Sequence, residues 1–533
     1  MTESFAAADV RAAEEPLLAE GRPLMERAAF ALALRVVSLV RARRGSLGGA
    51  RVLLLVGSGS NGGDALFAGA ALRRRGVAVD ALALAARVHE PGRTAFERAG
   101  GRLDGATGAD LRDGTAPTDA TDGAARAAEH AVTYDVVVDA LVGTGARGGL
   151  REPAAGFVAR LDDLLHARSA RERPVVVAVD VPSGVGVDDG TLPGPSLAAD
   201  VTVTFGVAKH CLLLPPAASR AGEVHVADIG LGRVRGHGRA VRRLDGEDVA
   251  ASWPSPTASD QKYSRGVLGI VAGSTRFPGA AVLASSGAVR AGVGMVRYVG
   301  PEPVAREVLA ARPEVVPAEG RVQAWAVGPG LPGAGDDDLP DDVVEQHRHV
   351  RAVLAAAAGR LGADVGGRRV PVVVDAGALT LLPERVPPTV VLTPHAGELA
   401  ALLRARGEDV DRTAVEAEPL RHAARAHELT GATVLLKGAV TIVVGRGVVW
   451  SQADGPAWLA TAGAGDVLTG VLGALLAARS AEALADDTLP ARLAAVAASV
   501  HGRAAHAANP GGPVAALDVA HAVPGVVAGL LRG

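Results

Sequence analysis

From residue 51 to about residue 229, short β-branched apolar runs alternate with stretches of mixed polarity. Residues 52–56, 77–84, 135–139, 175–180, 201–205 and 223–226 read as strands, and most end in Gly, Asp or Pro. Between them, 64–75 and 153–166 carry helical spacing. The segment 6–44 reads as helical, with Leu24, Ala28, Leu32 and Val36 on one apolar face. Such alternation predicts an α/β domain with a largely parallel sheet, whose ligands meet it at the C-terminal strand ends. The polar stretch 104–122 reads as a mobile loop. Gly, Arg, Asp and Pro crowd residues 230–257, which marks a domain junction. A second series then follows: strands over 267–272, 295–299, 322–327, 372–375, 390–392, 434–436 and 441–444. Helices are expected over 280–290 and from about 465, 491 and 517. The division expected is a domain over 1–229, a linker over 230–252 and a second domain over 253–533.

Composition narrows the classes. The 533 residues are 48% hydrophobic and 21% charged, enough for two substantial cores and too apolar for wholesale disorder. The 55 basic and 58 acidic residues leave a formal charge of −3, so no global field draws nucleic acid or an anionic membrane. One cysteine, Cys211, excludes a disulfide framework and a cysteine-rich zinc site. The N-terminus lacks the apolar core of a signal peptide, and no run of roughly 18 apolar residues suits a bilayer. A cytoplasmic protein is expected.

Candidate chemistry gathers at two glycine-rich turns. The first, Gly57-Ser58-Gly59-Ser60-Asn61-Gly62-Gly63-Asp64, leads from a strand into a helix, where free N–H groups favour an anion. Taken alone it is a tight turn with an Asp cap. Two further strand ends change its weight: Asp139 precedes Leu141-Val142-Gly143-Thr144-Gly145, and Asp180 precedes Val181-Pro182-Ser183-Gly184. Asn61, Asp64, Asp139, Asp180 and Ser183 together would present hard oxygens without His or Cys, which suits a hard cation rather than zinc.

The set Pro23–Ala28, Ser60–Asp64, 137–145 and 179–184 resembles the NAD(P)H-hydrate epimerase domain, a Rossmann-like parallel-sheet fold. That family interconverts the R and S forms of NADHX and NADPHX, whose nicotinamide rings are hydrated at C6. The resemblance implies K+ held by Asn61, Asp139 and Ser183. It implies hydrate contacts from Ser60, Asn61, Gly62, Gly63 and Asp64, from Gly143, Thr144, Gly145, Ala146, Arg147, Gly148 and Gly149, and from Asp180. Asp64, Asp139 and Asp180 all stay open as the proton-transfer group.

The second turn, Ala462-Gly463-Ala464-Gly465-Asp466, opens an apolar helical stretch. It is preceded in order by Lys262-Tyr263-Ser264-Arg265-Gly266, Phe277-Pro278-Gly279-Ala280, Gly328-Pro329-Gly330, Asp375-Ala376, Thr393-Pro394-His395-Ala396-Gly397-Glu398 and Lys437-Gly438. The series resembles the ribokinase-like ADP- or ATP-dependent NAD(P)H-hydrate dehydratases. The resemblance implies phosphorylation of the C6 hydroxyl, then phosphate loss to regenerate NAD(P)H. Asp466 would be the general base and Gly463, Ala464 and Gly465 the anion hole. Lys437, Gly438, Ala439, Val440 and Thr441 would line the nucleotide, and Ala280, Gly330, His395 and Asp466 the hydrate. Mg2+ is expected with ADP or ATP.

The favoured expectation is a bifunctional repair enzyme acting on NADHX or NADPHX with ADP or ATP, without nucleic acid or membrane, as a homo-oligomer. The competing one is a ribokinase-like vitamin-precursor kinase carrying a non-catalytic N-terminal binding module. The epimerase-like N-terminal domain weighs against the kinase, and Asn61, Asp139, Asp180 and Ser183 weigh against a non-catalytic module.

Overall fold

The computed structural model describes residues 1–105, 120–145, 147–335, 339–359 and 369–533. Ala146 and most of the polar stretch 104–122 lie outside the described residues. The chain divides into two compact units, residues 3–238 and residues 239–533 with the first two.

In the first unit seven parallel strands run in the order Arg102–Gly105, Ala78–Ala83, Arg51–Val56, Val136–Ala140, Val175–Val179, Val201–Phe205, Glu223–Ala227. Chain order reverses between Arg51–Val56 and Val136–Ala140, and that reversal opens a crevice at their C-terminal ends. Their Val- and Leu-rich sequences are buried on both faces, as a parallel sheet requires. Leu24, Ala28, Leu32 and Val36 are buried, as expected, on helix Leu24–Arg44. The helical segment expected over 6–44 is in fact two helices, Ala7–Ala19 and Leu24–Arg44, parted at Gly21, which adopts φ +70°. Helix Ser60–Arg73 starts four residues earlier than expected, inside the glycine motif. The stretch expected as a loop over 104–122 gives way to helix Ala120–Ala131.

The second unit carries Met295–Tyr298, Val267–Val271, Ala324–Val327, Val372–Val374, Val390–Leu392 and Thr433–Leu436 as adjacent parallel strands. Thr441–Gly445 and Val448–Gln452 continue the sheet antiparallel, and Ala240–Arg243 pairs parallel to the last. Residues 240–252, expected as linker, therefore hold a strand and the capped helix Gly246–Ser252. Helices Pro278–Arg290, Ala464–Ala478, Leu489–Ala508 and Ala516–Arg532 share one apolar core with these strands. Two of these helices meet backbone to backbone. A Cβ on Gly470 would stand 2.0 Å from the Ala284 carbonyl oxygen, and one on Gly287 2.4 Å from that of Val467.

Candidate active sites

The first site is built by close backbone approach. A Cβ on Gly57 would stand 1.7 Å from the Leu141 carbonyl oxygen, and one on Gly143 2.5 Å from Asn61 Oδ1. Only glycine lets the loops after Arg51–Val56 and Val136–Ala140 touch in this way. The Asn61 amide then donates to the carbonyls of Val179 (2.6 Å) and Val142 (3.2 Å). Val142 N–H donates to Ser183 Oγ (3.2 Å), and Ser183 donates to Asp139 through its hydroxyl (2.6 Å) and its N–H (2.8 Å). Asn61, Asp139 and Ser183 thus belong to one connected network at three strand ends. Asp139 is 1% exposed. Burial pushes its carboxyl above the usual range, against the bonds from Ser183 and Leu141.

Asp180 stands just past Val175–Val179 at φ +67°, a left-handed conformation uncommon for a non-glycine residue. Its Oδ1 accepts from Thr204 Oγ1 (3.0 Å), from Phe205 N–H (3.2 Å) and from the ammonium of Lys209, which is 1% exposed. Asp64 lies in the first turns of Ser60–Arg73, 5% exposed, and accepts no hydrogen bond and forms no ion pair among the described residues. Burial pushes its carboxyl well up; Asp180 and Glu14 add to the shift and Lys209 opposes it. Glu14 comes from helix Ala7–Ala19, whose Arg11 donates to the Thr144 carbonyl (3.2 Å). Arg147 and Gly148 stand at the exposed rim.

The second site centres on the N-terminus of Ala464–Ala478. Gly463 caps it at φ +85°, and a Cβ there would strike Leu283 at 2.4 Å. Asp466 follows in the first turn. Its carboxyl is pushed up to about 7 by burial first and then by Asp375; Lys437 opposes and Glu398 adds. Lys437 donates to Asp375 Oδ1 (2.9 Å), and Thr469 Oγ1 donates to Asp375 Oδ2 (2.9 Å). The Lys437 ammonium lies beside Gly465, where a Cβ would stand 3.2 Å from it. Burial disfavours its charge, yet Asp375 and Glu398 outweigh burial and hold it above the usual lysine range.

Ala280 and Gly330 come together: a Cβ on Gly330, at φ +69°, would stand 2.6 Å from that of Ala280. Gly438 and Ala439 form the exposed turn between Thr433–Leu436 and Thr441–Gly445, with Val440 buried behind it. His395 accepts at Nδ1 from the N–H groups of Gly397 (3.0 Å) and Glu398 (3.2 Å), capping helix Ala396–Arg404. Its other ring nitrogen stands 3.5 Å from Glu398 Oε1. Sequence reasoning missed Lys209, Glu14 and Thr204 in the first site, and gave Asp375 and Thr469 no role in the second.

The protein family described as YjeF-related protein N-terminus matches residues 21–211, and the one described as NAD(P)H-hydrate dehydratase matches residues 268–523. The bifunctional NAD(P)H-hydrate repair enzyme Nnr of Mycobacterium tuberculosis (strain CDC 1551 / Oshkosh) is 43% identical over 484 residues, covering 88% of each chain. That of Mycobacterium leprae is 40% identical over 530 residues, covering 96% of this chain and 95% of its own. Among solved structures, the ADP/ATP-dependent NAD(P)H-hydrate dehydratase of Bacillus subtilis, co-crystallized with ATP/Mg2+, is 26% identical. It covers 54% of this chain and 97% of its own, with a TM-score of 0.43. With two relatives of this identity spanning nearly its whole length, the chain belongs to the family of bifunctional NAD(P)H-hydrate repair enzymes.

Proposed function

We propose that residues 3–238 epimerise R and S NAD(P)HX, and that residues 239–533 dehydrate the S form to NAD(P)H using ADP or ATP. The observation that carries the second assignment is Asp466. It stands in the first turn of a helix, behind a left-handed glycine, without a hydrogen-bond or ion-pair partner among the described residues and with its carboxyl poised to titrate near neutrality. A base with that poise takes the proton of the C6 hydroxyl as it attacks the terminal phosphoryl group. The N–H groups following Gly463 and the Lys437 ammonium meet the charge that develops. Gly438, Ala439, Val440 and Thr441 then flank the nucleotide, and Ala280, Gly330 and His395 the hydrate. Asp375 and Glu398 are both engaged in hydrogen bonds. That suits a Mg2+ carried in on the nucleotide phosphates, where it offsets their charge, better than one caged by protein.

In the N-terminal unit, the residues fit a hard monovalent cation. Asp139 is a buried carboxylate with hydrogen-bond donors but no side-chain cation beside it among the described residues. Carbonyl oxygens of Val142 and Val179 converge on Asn61. K+ would be held by Asn61, Asp139 and Ser183, supplying the positive charge that this pocket lacks. Ser60–Asp64, residues 143–145 and 147–149, and Asp180 border the hydrate.

The test is recovery of NADPH from an R/S mixture of NADPHX, followed by absorbance with ATP or ADP. The intact protein should recover the whole mixture. Asp466→Asn should recover none, and Asp180→Ala should slow only the part derived from R. No NADPH with either nucleotide would overturn the reading.

A further inference from the structure

We propose that Asp64 is the group that exchanges protons with the hydrate during epimerisation, while Asp180 is a fixed anion pinned by Lys209. The proposal rests on the epimerase reading of the N-terminal unit. It begins from a likeness between the two sites. In the second, Asp375 follows a strand end and is held by Lys437 and by the hydroxyl of Thr469, leaving Asp466 unpartnered beside them. In the first, Asp180 follows a strand end and is held by Lys209 and by the hydroxyl of Thr204, leaving Asp64 unpartnered beside them. Asp139, the third candidate, has both oxygens engaged by Ser183.

Hydrogen-bond status therefore separates three carboxyls that sequence left equivalent. A carboxyl already accepting from a lysine, a threonine and a backbone N–H must break those bonds to take up a proton. One with no partner need break none. Burial first, and then the charges of Asp180 and Glu14 against the single ammonium of Lys209, favour a neutral Asp64. His89 packs its ring on Gly63, one residue away.

A neutral carboxyl can both give and accept a proton. Its O–H donates to the ring nitrogen N1 while its carbonyl oxygen accepts the proton of the C6 hydroxyl. The C6–N1 bond breaks with its electron pair passing to N1, and the O–H pair becomes the π bond of an open aldehyde. Rotation about the C5–C6 bond presents the other face, and the reverse transfer closes the ring as the opposite epimer. Asp64 ends as it began, and no oxidant, reductant or added water is consumed.

The test uses the full chain and the R hydrate of NADPH without nucleotide, so that the dehydratase is idle, and follows R-to-S conversion by NMR. Asp64→Asn should lower kcat by on the order of 10²–10⁴-fold with KM within about threefold. Asp64→Glu should restore part of the loss. The rate of the intact protein should fall as pH rises through the titration of Asp64, because the neutral form is the working one. Calorimetry of the same preparations reports that the epimerase unit is folded, and dehydration of the S hydrate with ATP reports that the dehydratase unit is intact. Should Asp64→Asn not fold, an inactive Asp64→Glu or a pH-independent rate in the intact protein would overturn the assignment. So would Asp64→Asn with kcat within threefold of the intact protein, or a loss confined to KM. An intact protein that converts nothing would overturn the epimerase reading itself.

Discussion

Three of the 55 basic residues are lysines, and two of these, Lys209 and Lys437, are set against an aspartate at a strand end. Lysine presents a compact ammonium, whereas arginine needs room for a planar fork and keeps its charge under any burial. Lys437→Arg is therefore expected to lower dehydratase kcat/KM by about tenfold or more, since the larger head would intrude on Gly465. Lys262→Arg, at the exposed third lysine, should stay within about twofold by the same assay. Asp466 gives a pH prediction. Its carboxyl must be ionised to act as a base, so kcat should rise with pH through about 7 and level off above it. Stability runs the other way. The folded state holds this proton up to about 7 while an unfolded aspartate releases it near 4, so folding loses stability as pH rises across that window. Asp466→Asn should accordingly raise Tm more at pH 8 than at pH 5, read by calorimetry. Asp466 and Asn61 were legible because each sits in a local glycine signature. Lys209 and Glu14 were not, because their partner Asp180 is distant in sequence and no spacing connects them. The scarcity of lysine was the one signal in the sequence that pointed to Lys209.

Elements reach their places through glycine. Helices Pro278–Arg290 and Ala464–Ala478 carry Ala280 and Asp466, and their contact through Gly287 and Gly470 leaves no room for a side chain. Gly470→Val is expected to cost on the order of 3 kcal/mol in stability, because the obstructing Ala284 carbonyl is backbone and cannot swing aside. Dehydratase activity should fall with it, whereas epimerase activity, housed in the other unit, should hold. Calorimetry and paired assays would check both. The proposed cation site can be tested at the scale of the element as well. KCl near ten times its Kd should raise the melting temperature of the epimerase unit by roughly 3–6 °C over choline chloride, and Asp139→Asn should erase the rise. The β-branched runs ending in Gly or Asp made most sheet strands legible. Val448–Gln452 escaped because only Arg446-Gly447 parts it from Thr441–Gly445 in one apolar run. Ala240–Arg243 escaped because a short, arginine-rich strand has no apolar alternation to show.

At the scale of the molecule, every residue assigned to the first site lies within residues 3–238, and every one assigned to the second within 239–533. Mixing Asp180→Ala chains with Asp466→Asn chains is therefore expected to restore recovery of the whole R/S mixture, measured as NADPH absorbance. An R-derived part as slow as with Asp180→Ala chains alone would show that the two steps must share one chain. With the two sites assigned to separate units, the enzyme is expected to behave as two reservoirs joined by a pipe. R hydrate drains into a standing pool of S hydrate, and that pool feeds the irreversible outflow. Starting from R alone, NADPH should appear only after a lag in which the pool fills, and the lag should lengthen as the outflow is throttled by withholding nucleotide. In that scheme the level of a metabolite sets the pace at which one activity hands over to the other.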